Sequence, residues 1–259
     1  MTAPYRARPA DGAAWVTGAS SGIGRDVARE LARRGFVVFA TARRAEALAA
    51  LEREASGLAG RIRATPGDVT DRAGMAALYA AIEAEQPVAL AVLNAGGGWR
   101  DAEGDFGGEA FQRTFAVNVQ GVANTLNPAL NAMRARRRGQ IAIVGSLIGY
   151  GGVPNAYAYG PSKAAVISLA VGLKFLAEPD GVAVQVVNPG YVRTELTTQS
   201  RHPRPFLMEC AEACRRICDG LERGGFEIRF PRRFAALVRL VQSLPYPVLF
   251  ALFRRVGLR

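Results

Sequence analysis

Ala13-Ala14-Trp15-Val16-Thr17-Gly18-Ala19-Ser20-Ser21-Gly22-Ile23-Gly24 is the stretch on which the fold turns. Four apolar residues, Ala13 to Val16, read as a short buried strand. Thr17 and Gly18 end it. Three glycines at positions 18, 22 and 24 then supply a tight turn. Beyond the turn, Ile23, Val27 and Leu31 recur at helical spacing, with Arg25, Arg29 and Arg33 on another face. Strand, glycine-rich turn and helix in this order place backbone N–H groups at a helix N-terminus, where a phosphate is well received. The spacing is Gly-x-x-x-Gly-x-Gly and differs from the Gly-x-Gly-x-x-Gly of the standard dinucleotide fingerprint. Taken alone it is also compatible with a plain tight turn.

The same alternation continues outward. Strands are predicted at Phe36–Thr41, Ile62–Thr65, Val88–Leu93, Ile141–Val144, Val182–Val187 and Phe226–Phe230. Helical patterns lie between them, including one long helix from Glu109 to Ala135 and another from Ala156 to Leu176. Val88–Leu93 is apolar throughout, as in a strand covered on both faces. About seven strand–helix alternations predict an α/β fold: a single Rossmann-type, doubly wound parallel sheet with helices on both sides. Its ligand belongs at the carboxyl ends of the strands. Residues 1–231 form the expected Rossmann-type domain and residues 232–259 a helical extension. No internal repeat or low-complexity linker interrupts this pattern.

Composition narrows the function classes. The chain has 259 residues, is 49% hydrophobic and carries a formal charge of +11. Lysine occurs only at Lys163 and Lys174, which leaves 31 arginines among the 33 basic residues. Such a bias spreads charge over a whole surface, so only a local cluster argues for a partner. Arg134, Arg136, Arg137 and Arg138 form a basic run without a recognised nucleic-acid module, and nucleic acid is not expected as a partner. No run reaches the ~18 apolar residues of a spanning helix, and no secretory signal is read at the N-terminus. Cys210, Cys214 and Cys218 fall on one helical face. They read as a core stripe, without a metal, in a reduced cytoplasmic setting. His202 is the sole histidine.

Dinucleotide sites often place an acidic residue about 20 residues downstream, on the ribose 2′-hydroxyl. Here the second strand runs into Ala42-Arg43-Arg44 instead. A guanidinium suits a 2′-phosphate, so Arg43 predicts NADP(H) over NAD(H). Further along, Tyr159 and Lys163 stand at i and i+4, on one helix face. A phenol with a pKa near 10 is a poor base at neutral pH, and a nearby ammonium is expected to lower it. Pro161 is tolerated because it falls near the helix start.

These motifs come in an order that resembles the classical short-chain dehydrogenase/reductase family. The matching residues are Thr17-Gly18-x-x-x-Gly22-x-Gly24, Asp68-Val69, Asn94-Ala95-Gly96, Asn118, Ser146, Tyr159-x-x-x-Lys163 and Pro189-Gly190 followed by Thr194. The resemblance covers about residues 11–230. It implies that Tyr159 is the general acid in reduction and the base in oxidation. Lys163 then binds the nicotinamide ribose, Ser146 donates to the substrate oxygen, and Asn118 holds a water that links Lys163 to solvent. The implied cofactor contacts are Gly18, Ser20, Ser21, Gly22, Ile23 and Gly24 in the turn, with Arg43, Asp68, Val69, Asn94, Ala95 and Gly96. Tyr159, Lys163, Pro189, Gly190, Val192 and Thr194 complete them.

The substrate side is expected to be lined by Leu147, Ile148, Val153, Tyr157 and Tyr191, with Tyr150 nearby, and covered by a lid over 195–212 that includes Phe206 and Met208. No basic anchor stands among the lining residues. This points to a neutral, partly apolar ketone, aldehyde or secondary alcohol as the small-molecule partner. A 3-oxoacyl thioester is an alternative substrate, and a non-catalytic NADP-binding or membrane-surface protein is an alternative of another class. A homodimer or homotetramer is expected. The tail, 232–259, has no acidic residue and reads as two short helical pieces broken at Pro245 and Pro247. It could pack on the domain, form a subunit contact or lie peripherally on a membrane.

Overall fold

The computed structural model describes residues 5–99, 108–198 and 204–256. His202 and the middle of the expected lid lie outside the described residues, as do positions 257–259 of the tail. The strands are β1 (Ala13–Thr17), β2 (Val37–Thr41), β3 (Arg61–Ala64), β4 (Val88–Leu93), β5 (Gly139–Val144), β6 (Val182–Pro189) and β7 (Glu227–Phe230). The principal helices are α1 (Gly22–Arg33), α2 (Ala45–Glu54), α3 (Arg72–Glu85), α4 (Glu109–Phe115), α5 (Gly121–Ala135), α6 (Tyr159–Ala177), α7 (Glu195–Thr198), α8 (Cys210–Arg223), α9 (Arg232–Gln242) and α10 (Tyr246–Arg255).

All seven strands are parallel, in the order β3-β2-β1-β4-β5-β6-β7. This is the doubly wound sheet expected. Its winding reverses between β1 and β4, which opens a crevice above their carboxyl ends. Every residue of β1, β4, β5 and β6 is buried, whereas the edge strands β3 and β7 alternate. On one face, Val16, Val27, Leu31, Leu48, Ile217 and Leu221 join α1, α2 and α8 to the sheet. On the other, Trp15, Phe39, Met75, Val122, Met133 and Val166 join α3, α5 and α6. Trp15 satisfies its buried N–H on the hydroxyl of Thr41, 2.8 Å away.

Two elements differ from the sequence reading. The long helix at 109–135 is interrupted by a π-helical turn, Ala116–Gln120, between α4 and α5. Helix α6 begins at Tyr159, not Ala156, so Pro161 sits at its third position, where its missing N–H has no partner to lose. By length and composition α6 and its extension to Asp180 could cross a membrane. It nevertheless buries Gly160, Ser162, Lys163, Val166, Ala170, Leu173 and Ala177 within the domain.

The cysteine stripe faces the core: Cys214 and Cys218 are buried and all three thiols are free. Cys214 donates to the carbonyl of Ile23 in the first turn of α1. Packing also brings Asp26 beside Cys210 and Cys214, with one ligand atom from each lying within 4.8 Å of the others. Sequence spacing did not reveal that neighbour.

Candidate active site

A cleft of about 560 Å³ runs along the carboxyl edge of the sheet. Its floor is the glycine-rich turn. Gly18 has φ +69, and a Cβ there would lie 2.8 Å from the Cα of Ala95. A Cβ on Gly24 would lie 2.3 Å from the amide nitrogen of Asn94 and 2.4 Å from the carbonyl oxygen of Gly18. Only glycine permits this close crossing of the two switch-point loops. Thr17 locks the crossing: its hydroxyl accepts from the N–H groups of Asn94 and Ala95, at 3.0 and 3.1 Å. The side-chain amide of Asn94 donates back to the carbonyl of Thr17 at 3.0 Å. Thr17 was read as the end of a strand, and this fastening role emerges only from the fold.

Most of the expected cofactor residues line the cleft: Gly18, Ser20, Ser21, Gly22, Ile23, Arg43, Asp68, Val69, Asn94, Ala95, Gly96, Tyr159, Lys163, Pro189 and Thr194. Asp68 holds the N–H and hydroxyl of Thr70 on one carboxylate oxygen. Gly24, Gly190 and Val192 stand behind the wall. Val192 is buried and bridges to Met208. Sequence reasoning passed over Arg44, whose Nε donates to Ser20 at 3.2 Å and which lines the cleft beside Arg43. It also passed over Trp99 and Arg113, which stack at 4.4 Å on the cleft wall. The Arg43-Arg44 dipeptide was visible in the sequence; the Trp99–Arg113 pair, set by tertiary packing, was not.

The four expected catalytic residues converge. Asn118 is buried in the π turn, where its side chain accepts from the N–H of Gly97 at 2.8 Å. It donates to the carbonyl of Gly97 and the hydroxyl of Ser162, both at 2.9 Å. The widened turn is thus satisfied by three tertiary hydrogen bonds. Ser162 in turn donates to the carbonyl of Tyr159 at 2.8 Å. The ammonium of Lys163 is buried, donates to the carbonyl of Val144 at 2.9 Å, and lies 5.7 Å from the centre of the Tyr159 ring. Ser146 caps the short helical turn Leu147–Tyr150, and its hydroxyl reaches the carbonyl of Pro189 at 3.4 Å.

The electrostatics correct one expectation. Burial pushes the Tyr159 phenol up to about 12, against a lowering hydrogen bond from Ser146. Burial also pulls the Lys163 ammonium down to about 8. In the protein alone, desolvation of the phenolate outweighs the hydrogen bond from Ser146. No carboxylate partners the Lys163 ammonium among the described residues.

The expected substrate wall divides. Leu147 is buried, Ile148, Val153 and Tyr191 are partly exposed, and Tyr157 is 52% exposed. Tyr150 turns away from the cleft, and its hydroxyl donates to Glu227 at 2.6 Å. Met208 belongs to the core, while Phe206 lies exposed, 5.5 Å from the ring of Phe234. Residues 199–203 of the expected lid lie outside the described residues.

A parallel sheet with a glycine cradle at its switch point, and Ser146, Tyr159 and Lys163 on one rim, defines a nucleotide-dependent oxidoreductase site. The short chain dehydrogenase profile matches residues 12–205. The chain belongs to the short-chain dehydrogenase/reductase family. An uncharacterized oxidoreductase of Myxococcus xanthus is 37% identical over 94% of this chain and 96% of its own. The granaticin polyketide synthase putative ketoacyl reductase 1 of Streptomyces violaceoruber is 34% identical over 77% of this chain and 74% of its own. A short-chain dehydrogenase from Sphingobium yanoikuyae, solved with NADPH, superposes with a TM-score of 0.72 at 25% identity, covering 90% of this chain and 96% of that one.

Proposed function

We propose that this protein is an NADP(H)-dependent carbonyl reductase or alcohol dehydrogenase acting on a neutral, partly apolar substrate. The observation that carries this reading is the convergence of Ser146, Tyr159, Lys163 and Asn118 beside a glycine-lined nucleotide cleft. The residues fit a dinucleotide. A Cβ on Gly96 would stand 3.2 Å from both the Asn118 oxygen and the Lys163 ammonium, so any side chain there would press on these two groups. Arg43 and Arg44 offer two guanidinium groups at the mouth, suited to a 2′-phosphate. The cofactor, when bound, supplies or accepts the hydride.

The chain's own residues handle the proton. Tyr159, held protonated by its surroundings, donates its phenolic proton to a carbonyl oxygen in reduction and takes it back in oxidation. Ser146 donates a hydrogen bond to the same oxygen as charge develops there. Lys163 holds a positive charge near the phenol, and Asn118 fixes the loop at Gly97 and the helix turn at Ser162. A cytoplasmic location rests on the cysteine usage. A homodimer or homotetramer is supported by Val171, Phe175 and Leu176, which leave an apolar stripe exposed on α6.

Reduction of 3-oxoacyl thioesters is a second reading, favoured by the likeness to a putative ketoacyl reductase. A panel of ketones, aldehydes and acyl thioesters, followed by NADPH consumption, separates the two. Turnover of simple apolar ketones supports the first reading, and turnover confined to thioesters replaces it. No turnover on any substrate, with NADPH bound, favours a non-catalytic nucleotide-binding protein.

A further inference from the structure

We propose that residues 232–256 form a docking surface for an anionic lipid bilayer. The tail is fastened to the domain by one side only. Ala235 and Leu249 are buried, Phe234 packs on Tyr191 and Phe206, and Gln242 donates to the carbonyl of Gly152. The opposite side is apolar. On α9, Arg233, Leu237 and Leu240 share one outward stripe; on α10, Tyr246, Phe250 and Arg254 share another. Leu240 is 65% and Tyr246 73% exposed, and the rings of Tyr246 and Phe250 stack 5.7 Å apart.

Charge selects the occupant. From Ile228 to the end of the chain there is no carboxylate and there are seven arginines, which leaves +4 of the +11 for everything before it. Elsewhere several arginines do meet carboxylates: Arg25 with Glu54, Arg34 with Glu30, Asp219 and Glu222, Arg134 with Asp180. Within the tail, Arg239 pairs with Glu227, a carboxylate it shares with Arg229. Arg232, Arg233, Arg254 and Arg255 are exposed and have no ion-pair partner among the described residues. A second copy meeting this patch across a two-fold axis would set arginine against arginine with no carboxylate on either side. An anionic headgroup layer neutralises them while its acyl boundary takes the apolar stripe. At ~1.5 Å per residue neither helix approaches the ~30 Å needed to span, so both lie in the plane of the interface.

The test is co-sedimentation of the full-length protein with phosphatidylcholine vesicles, with and without phosphatidylglycerol. The expected result is pelleting with the anionic vesicles at low salt, weakened at high salt. Arg254→Glu with Arg255→Glu should weaken that binding by about tenfold or more, and Leu240→Ser with Phe250→Ser should weaken it too. NADPH binding serves as the control for folding in both variants. The proposal is overturned if the wild type stays in the supernatant with anionic vesicles at low salt, or if the charge-reversed variant pellets as well as the wild type. It is likewise overturned if Phe250→Ser reduces the solution mass of the protein while vesicle binding is absent, which assigns the surface to a second copy.

Discussion

The nucleotide cleft and the basic tail both display arginine, yet the two regions use it differently. In the cleft, Arg43 and Arg44 stand at the rim of a concave, glycine-floored site, one of them tied to Ser20 of the turn. In the tail, four arginines flank an exposed apolar surface and have no carboxylate partner among the described residues. Concavity, backbone donors and two guanidinium groups select one small dianion. An exposed mixture of apolar and basic groups selects an extended anionic surface. The lesson is that a net charge of +11 describes neither site. The geometry around each arginine does.

The largest effect expected is at the proton donor. Tyr159→Phe should lower turnover by about a thousandfold, the scale of a lost general acid, while NADPH binding measured by fluorescence persists. Retained turnover would separate the cleft from catalysis and leave it a binding site only.

Lys163 sharpens the picture, because it is a buried cation of the cleft with no carboxylate partner among the described residues. Its pKa in the folded chain, about 8, lies below the ordinary 10.5. Between these values the unfolded chain binds more protons, so wild-type stability should rise as pH climbs from about 8 towards 10.5. Lys163→Met should remove that slope and raise stability at pH 7 by about 1–3 kcal/mol, as read by denaturant titration, while turnover collapses. In the wild type, kcat/KM for reduction should fall as pH passes through about 8, with the Tyr159 acid still protonated. A variant that neither gains stability nor loses the pH limb would show that the ammonium is hydrated after all.

Removing the two rim arginines tests the cleft side of the contrast. Arg43→Ala with Arg44→Ala should weaken NADPH relative to NADH by about tenfold to a hundredfold, as expected for about 1.5–3 kcal/mol of hydrogen bonding to a charged phosphate. An unchanged cofactor preference would make these arginines as indifferent to the nucleotide as those on α1.

What could be read in the sequence follows the same division. The inner strands β1, β2, β4, β5 and β6 announce themselves because parallel strands covered on both faces are mainly apolar, as Val88–Leu93 is throughout. The glycines and the Tyr159–Lys163 pair are legible because local spacing sets their geometry. The π turn around Asn118 is not, since one extra residue in a helical turn leaves no periodic mark; its cause lies in bonds to Gly97 and Ser162. The break between α9 and α10 falls at 243–245, whereas Pro247 is accommodated in the first turn of α10, where its missing N–H is harmless. Arg44, Trp99 and Arg113 depend on partners brought together only by the fold.

Tyr150 shows the limit most clearly, and it supplies the smallest prediction. Its position after Ser146 suggests a substrate contact. Instead it joins Glu227, which sits 77 residues away in sequence and also accepts from Asn188, Arg229 and Arg239. Burial raises the Glu227 pKa, but the hydrogen bonds from Tyr150, Asn188 and Arg229 outweigh it and hold the carboxyl below its ordinary value. This carboxylate therefore fastens the turn beyond Ser146 and the α9 arginine to one point on β7. Tyr150→Phe removes one bond to a charged acceptor and should lower stability by about 1.5 kcal/mol. Turnover of a small ketone should stay within about twofold of the wild type if the ring is a strap between the cleft's rim and the tail. A large rise in KM with stability unchanged would return Tyr150 to the substrate side and erase the link between the two regions.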